Sequence, residues 1–305
     1  MRRALKRAAE LLLPLALVAA GLGLVVPSDT LADRSDLVLA GLVLSTALAI
    51  APSQLIALRE RKAALAALVF VPFCALAPLS WLVGRLFDET VRDGVLALGV
   101  SSTEVAAVGL VALAGGSPVL ALGALTGSLV LSALAGPPTL ALLAGAGADV
   151  DVGGLVARFA LVVLLPLLAG LAIRALVPRL ADVEDELGGL AAIVVVVLVY
   201  AAMSASDEDA ELLSAALASL LFLVVSALPV LVWIALSDTS LRLTGALVME
   251  LRDFAVAAAL ATQAFDSSAA TIAGVYGVLM LLLGAAATQL APSAQPHRSP
   301  PAPSG

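Results

Sequence analysis

Apolar runs of about twenty residues recur ten times along the chain, separated by short polar stretches that hold most of the charges. About 20 apolar residues in a helix cross the ~30 Å hydrocarbon core of a bilayer. The runs are continuous rather than alternating with period two, which excludes a transmembrane barrel. They predict helices over about 9–27, 37–58, 63–87, 95–114, 118–143, 155–176, 187–205, 212–236, 241–265 and 269–290. The first run follows Arg2, Arg3, Lys6 and Arg7. It is longer than the ~7–15 residues of a signal-peptide core, so it reads as a first span. Pro72 and Pro78 predict a kink in the third span unless a neighbour supports the freed carbonyls.

Two of the ten runs are interrupted. The fourth carries Gly99-Val100-Ser101-Ser102-Thr103-Glu104 near its middle, and the ninth carries Glu250-Leu251-Arg252-Asp253. Ten spans divide into two fives, and the interruptions fall on the fourth span of each. An odd number of spans per half inverts one half relative to the other. Matching interruptions in inverted halves point to a transporter binding site near mid-membrane. The fold expected is therefore an all-α polytopic membrane protein with two inverted five-helix repeats, at 1–147 and 148–290. A proline- and serine-rich tail at 291–305 is expected to be disordered.

Composition agrees with that pattern and narrows the chemistry. The chain is 62% hydrophobic and 13% charged, with a mean hydropathy of +1.12, which is far more apolar than a soluble domain. A net charge of −7 argues against nucleic acid as a partner. The single histidine, His297, lies in the tail, and the single cysteine, Cys74, lies in an apolar run, where it reads as a small filler. Histidine general-base chemistry, zinc sites and intrachain disulfides are excluded by that inventory. An intramembrane enzyme would need a nucleophile or an acid/base pair, which two acids beside hydroxyls do not exclude. With no histidine in the apolar runs and no metal motif, the chain is expected not to be an enzyme, and no cofactor is called for. With the N-terminus inside, eleven Lys and Arg fall on the cytoplasmic side and four on the other. This predicts a multi-pass protein of the cytoplasmic membrane with both termini inside. Acidic clusters such as Asp207-Glu208-Asp209 read as solvated loop ends.

A charge inside the bilayer costs about 2.5–3.5 kcal/mol on insertion scales, so the ninth-span cluster needs a partner or water. On a continuous helix Glu250 and Asp253 would share a face, with Arg252 turned away. Two carboxylates on one face suit a cation or a proton, and Arg252 suits an anion. A structural tie, such as Arg252 paired with Glu104, would use the same residues. Ser101, Ser102, Thr103 and Glu104 offer hard oxygen ligands that fit sodium, and the same residues also read as a helix N-cap. On the fifth span Thr126, Ser128 and Ser132 sit beside Gly123 and Gly127, a pattern that also serves close helix packing. Ser45, Thr46 and Gln54, read as part of the second span, are weaker candidates.

These residues carry a resemblance. Ser101-Ser-Thr-Glu-Val, Gly116-Ser-Pro-Val-Leu-Ala-Leu, Leu131-Ser-Ala-Leu-Ala-Gly-Pro-Pro138, Glu250-Leu-Arg-Asp-Phe-Ala and Gly274-Val-Tyr-Gly-Val-Leu-Met280 resemble the bile acid:sodium symporter family. The resemblance implies ten helices in a panel and a core domain, with helices four and nine broken and crossing in the core. It implies symport of a small organic anion, usually with sodium. It carries ion binding to Ser102, Thr103, Glu104, Thr126, Ser128, Glu250 and Asp253, and substrate binding to Ser101 and Arg252. The chain departs from the family pattern where Arg252-Asp253 replaces an amide-bearing pair and Val248 occupies the glutamate position four residues earlier. Sodium and proton both stay open as the coupling ion. The alternatives are a sodium/proton-type exchanger and a non-transporting sensor or scaffold. The expected partners are the bilayer and the anion, with oligomeric state open.

Overall fold

The computed structural model describes residues 11–28, 30–31, 34–145, 150–204 and 209–290. The basic N-terminal residues, the acidic loop residues 207 and 208, and the tail at 291–305 lie outside the described residues. The helices are α1 Leu12–Val25, α2 Ser35–Ala49, α3 Pro52–Gly84, α4 Glu89–Val100, α5 Ala106–Leu113, α6 Pro118–Ala144, α7 Val152–Leu176, α8 Glu184–Ser204, α9 Asp209–Leu236, α10 Thr239–Glu250, α11 Phe254–Ala264 and α12 Ala270–Leu290. No strand occurs among the described residues. In α3, α6 and α7, and over Glu186–Ser204 of α8 and Leu212–Leu236 of α9, the chain is long and apolar enough to cross a membrane. Large apolar side chains point outward along them, including Phe70, Leu134, Leu168 and Val224. Such an extended apolar exterior is a lipid-facing surface. The protein is an all-α polytopic integral membrane protein.

Three boundaries differ from the sequence pattern, each for a local reason. The second span ends at Ala49 rather than near residue 58, because Pro52 holds Ala51 in an extended conformation and then opens α3 at its first turn. Gln54 consequently belongs to α3 and not to the second span. The fourth span starts at Glu89, about six residues early. Asp88 caps it by accepting from the Val91 N–H at 3.0 Å, so a polar turn that resembles a loop is helical. Helix α3 runs continuously through Pro72 and Pro78, and α7 contains a single wider π turn at Ala160–Leu164.

The helices form two groups. Helix α8 lies against α1 and α2, and α2 also lies against α7. In the second group α3 packs on α4, α6 and α9, while α12 packs on α9 and α11, and α11 packs on α4. Most of the buried core sits in this second group, with Leu96, Leu98, Phe222, Phe254, Leu260 and Tyr276 at its centre. Gly94 explains how closely α4 approaches α12: a Cβ there would lie 2.5 Å from the Ala269 carbonyl oxygen and 2.7 Å from Ile272. Small residues at such crossings let backbones meet. This packing sets the gap between α4 and α5 beside the gap between α10 and α11.

Candidate functional site at two helix breaks

Two chain breaks face each other inside the second group. Helix α4 ends at Val100 and α5 begins at Ala106, while α10 ends at Glu250 and α11 begins at Phe254. Between these ends Ser101, Leu251 and Asp253 are extended, and Thr103 pairs with Arg252 in an isolated antiparallel bridge. The Glu104 N–H donates to the Leu251 carbonyl at 2.9 Å, and the Asp253 N–H donates to the Ser102 carbonyl at 2.8 Å. Each break thus supplies hydrogen-bond partners to the other.

Five more of the freed backbone groups are met by side chains. On the first break the Thr103 N–H donates to Ser128 Oγ at 3.0 Å, and Ser132 Oγ donates to the Val100 carbonyl at 2.8 Å. On the second, Thr103 Oγ1 donates to the Val248 carbonyl at 3.2 Å. The Tyr276 hydroxyl donates to the Glu250 carbonyl at 3.2 Å and accepts from the Arg252 N–H at 3.1 Å. Unwound backbone survives at membrane depth when its polar groups are satisfied in this way. The extended residues are therefore held by tertiary partners on α6 and α12, not by local sequence.

Asp253 is the N-cap of the helix that follows it, and Glu104 lies just before the N-cap Val105 of its own. Asp253 Oδ1 accepts from the Ala255 and Val256 N–H groups, each at 3.0 Å, and its Oδ2 accepts from Ser102 Oγ at 3.3 Å. Glu104 Oε1 accepts from the Ala106 N–H at 3.4 Å, and its Oε2 has no hydrogen-bond partner. Each N-terminus already faces a carboxylate of its own chain, which complements the helix dipole.

One expectation is corrected: Glu250 and Asp253 do not share a helix face. The break at Leu251 parts them, so Glu250 ends α10 while Asp253 opens α11. Glu250 Oε1 accepts from Ser226 Oγ on α9 at 2.9 Å, and Glu250 Oε2 is unpartnered. Arg252 is 1% exposed and its Nε lacks a partner; among the described residues no ion pair joins it to Glu104. The tie proposed between those two side chains is absent.

The other expected residues divide. Ser101, Ser102, Thr103, Glu104, Ser128, Arg252 and Asp253 are all buried at the breaks. Ser101 Oγ turns back to the Leu98 carbonyl. Thr126 Oγ1 donates to the Leu122 carbonyl of its own helix at 2.9 Å, turned away from both breaks. Tyr276, Ser226 and Ser132 are the residues whose importance local pattern reading understated. The signal for Tyr276 was its chemistry: one of two tyrosines, set in an apolar run, whose hydroxyl must find a partner when buried.

Two cavities approach the breaks from opposite ends of α2 and α8. The larger, about 550 Å³, is lined by Thr46 and Ala49 of α2, Leu187 of α8, and Val105 and Ala106 at the start of α5. It is mostly apolar, with Ser45, Thr46 and Gln54 as its polar side chains. The smaller, about 190 Å³, is lined by Ser35 and Asp36 of α2, Ala201 of α8, and Ala255 at the start of α11. Both run between the two helix groups, and neither is lined by Ser101 or Arg252.

The sequence model of the SBF-like CPA transporter family matches residues 37–289, which include both breaks. The chain belongs to the SBF-like CPA transporter family. No curated protein matches it. Membership agrees with the resemblance to bile acid:sodium symporters carried by the motifs around Ser101 and Glu250. The family is one of transporters, which gives the chain its broad functional class.

Proposed function

We propose that the protein is a secondary active transporter of the cytoplasmic membrane, moving a small organic anion by symport with a monovalent cation, sodium or proton. The reading assigns ten spans in two inverted five-helix repeats, 1–147 and 148–290, with both termini cytoplasmic and the two breaks crossing at mid-membrane. The position of each break on the fourth span of its half supports it. The eleven-to-four distribution of Lys and Arg supports the orientation.

The observation that carries the reading is the burial of three ionisable side chains, Glu104, Arg252 and Asp253, at exposures of 1%, 1% and 2%. With all three ionised the crossing holds one positive and two negative charges. Its net negative charge calls for a monovalent cation, because an uncompensated charge inside the membrane is expensive. Glu104 Oε2 is the free acceptor there. Ser102, Thr103, Ser128 and Asp253 supply the surrounding oxygens, and Glu250 is a further acid one turn of chain away. Thr126 contributes to ion binding only if α6 turns. The cation is cargo, and no resident cofactor is required.

The apolar lining of the 550 Å³ cavity suits the body of an organic anion. Its inner end at Val105 and Ala106 lies two residues from the bridge between Thr103 and Arg252, so Arg252 supplies the attracting positive charge and Ser101 a hydroxyl once the site opens. A second reading, exchange of sodium for protons on the same carboxylates, is favoured by one observation: neither cavity is lined by Arg252 in this conformation.

The test is a thermal-unfolding screen of organic anions against the purified full chain, in sodium chloride or choline chloride, at several pH values. A ligand that binds the native state raises its apparent stability. Symport predicts an anion whose stabilisation depends on the cation. Stabilisation by sodium and low pH in mutual competition, with no anion effective, would move the assignment to exchange.

A further inference from the structure

The two helix groups are tied across the smaller cavity by one carboxylate. Asp36, in the first turn of α2, uses both of its oxygens. Oδ2 accepts from Arg158 of α7, from Nε at 2.7 Å and Nη2 at 2.6 Å, within the group formed by α1, α2, α7 and α8. Oδ1 accepts from Gln263 Nε2 of α11 at 2.6 Å, across the divide. The Asp36 side chain is 19% exposed and that of Arg158 is 55% exposed. Arg158 thereby fixes the carboxylate, and Gln263 is the arm that reaches the other group.

The cavity beneath this tie is lined by Leu198, Ala201 and Ala202 on one side and by Ala255, Ala258 and Ala259 on the other. Its alanine walls bury little apolar area at this mouth, so the Asp36–Gln263 bond is the specific contact that closes it, while α8 packs on α12 deeper between the groups. The cavity ends at Ala255, whose N–H is bonded to Asp253. Opening the divide here would connect the acid at the second break to the face opposite the larger cavity.

We propose that the Gln263–Asp36 hydrogen bond, braced by Arg158, is the latch that holds the outer cleft shut and must break for the crossing to face outward. The role in a transport cycle rests on the reading above; the closure of the cleft by this bond does not. The latch breaks by separation of the two helix groups.

The test uses the full chain in nanodiscs with Cys74→Ser, leaving no native thiol, and Ala259→Cys as reporter. Ala259 is 3% exposed and lines the closed cavity. Labelling by a membrane-impermeant maleimide should be slow in this parent. Gln263→Leu should raise the rate about ten-fold, the factor given by loss of about 1.4 kcal/mol. Asp36→Ala should do the same, and Gln263→Arg, which gives Asp36 a charged partner, should lower the rate. If Asp36→Ala fails to fold, the opposite effects of the two Gln263 variants still decide the matter. Parent rates in Gln263→Leu and Gln263→Arg, both folded, would overturn the latch. A reporter at Leu122→Cys in the larger cavity separates the two claims. Under alternating access its labelling should fall as Ala259→Cys labelling rises. A rise at Ala259→Cys with no change at Leu122→Cys would keep the latch and overturn the transport reading.

Discussion

Ser102 and Asp253 are bonded twice across the helix breaks, by the Asp253 N–H to the Ser102 carbonyl at 2.8 Å and by the Ser102 hydroxyl to Asp253 Oδ2 at 3.3 Å. Asp253 also caps α11, so one carboxylate fastens the crossing and orders the helix behind it. Asp253→Ala should destabilise the protein by about 0.5–2 kcal/mol through the cap alone. Asp253→Asn retains an oxygen for the cap and should unfold near the parent temperature. Thermal unfolding in detergent separates the two.

Tyr276 serves two backbone groups of the second break with one hydroxyl, and its ring packs edge-on to Phe222 with centroids 5.9 Å apart. Tyr276→Phe keeps the ring and strands the Glu250 carbonyl and the Arg252 N–H. Each buried group left unpaired costs about 1–3 kcal/mol, so this isosteric change should lower stability measurably. Phe222→Leu, which spares both hydrogen bonds, provides the packing comparison in the same denaturation experiment.

Ser128 and Ser132 stand four residues apart on α6, and both address the first break. Ser132→Ala strands the Val100 carbonyl, and Ser128→Ala strands the Thr103 N–H, each at a cost of about 1–3 kcal/mol. Because the two serve one structure, the double variant should lose less stability than the sum of the singles. Additive losses in a double-mutant cycle would mean that the two contacts act independently.

Glu250 is joined to α9 through Ser226 and lies apart from the pair formed by Glu104 and Asp253. Glu250→Gln should therefore leave a cation-dependent rise in stability in place, with its midpoint shifted by no more than about ten-fold. Complete loss of the cation response in this variant would enlarge the ion site to include α9.

The long apolar helices were legible because a run of about twenty apolar residues has few alternatives. The first break was legible too, since Ser101-Ser-Thr-Glu104 is a polar cluster in an apolar run. The second was legible as an interruption from its charges, but the position of the break between Glu250 and Asp253 was not. Leu251 is a good helix former, and partners distant in sequence, Ser102, Thr103 and Glu104 on the first break and Tyr276 on α12, hold the chain extended there. That is why a continuous helix placed Glu250 beside Asp253. The bond between Asp36 and Gln263, 227 residues apart, leaves no trace in local pattern at all.

The central claim is that the crossing at Glu104 and Asp253 binds the coupling cation. Its most direct test is the unfolding temperature of the purified protein as sodium and pH are varied, in parent, Glu104→Gln and Asp253→Asn. The account predicts that the parent gains stability with cation concentration, about 2.7 kcal/mol at a hundred times the dissociation constant. Both variants should fold and lose that dependence. A cation response undiminished in both folded variants would contradict it.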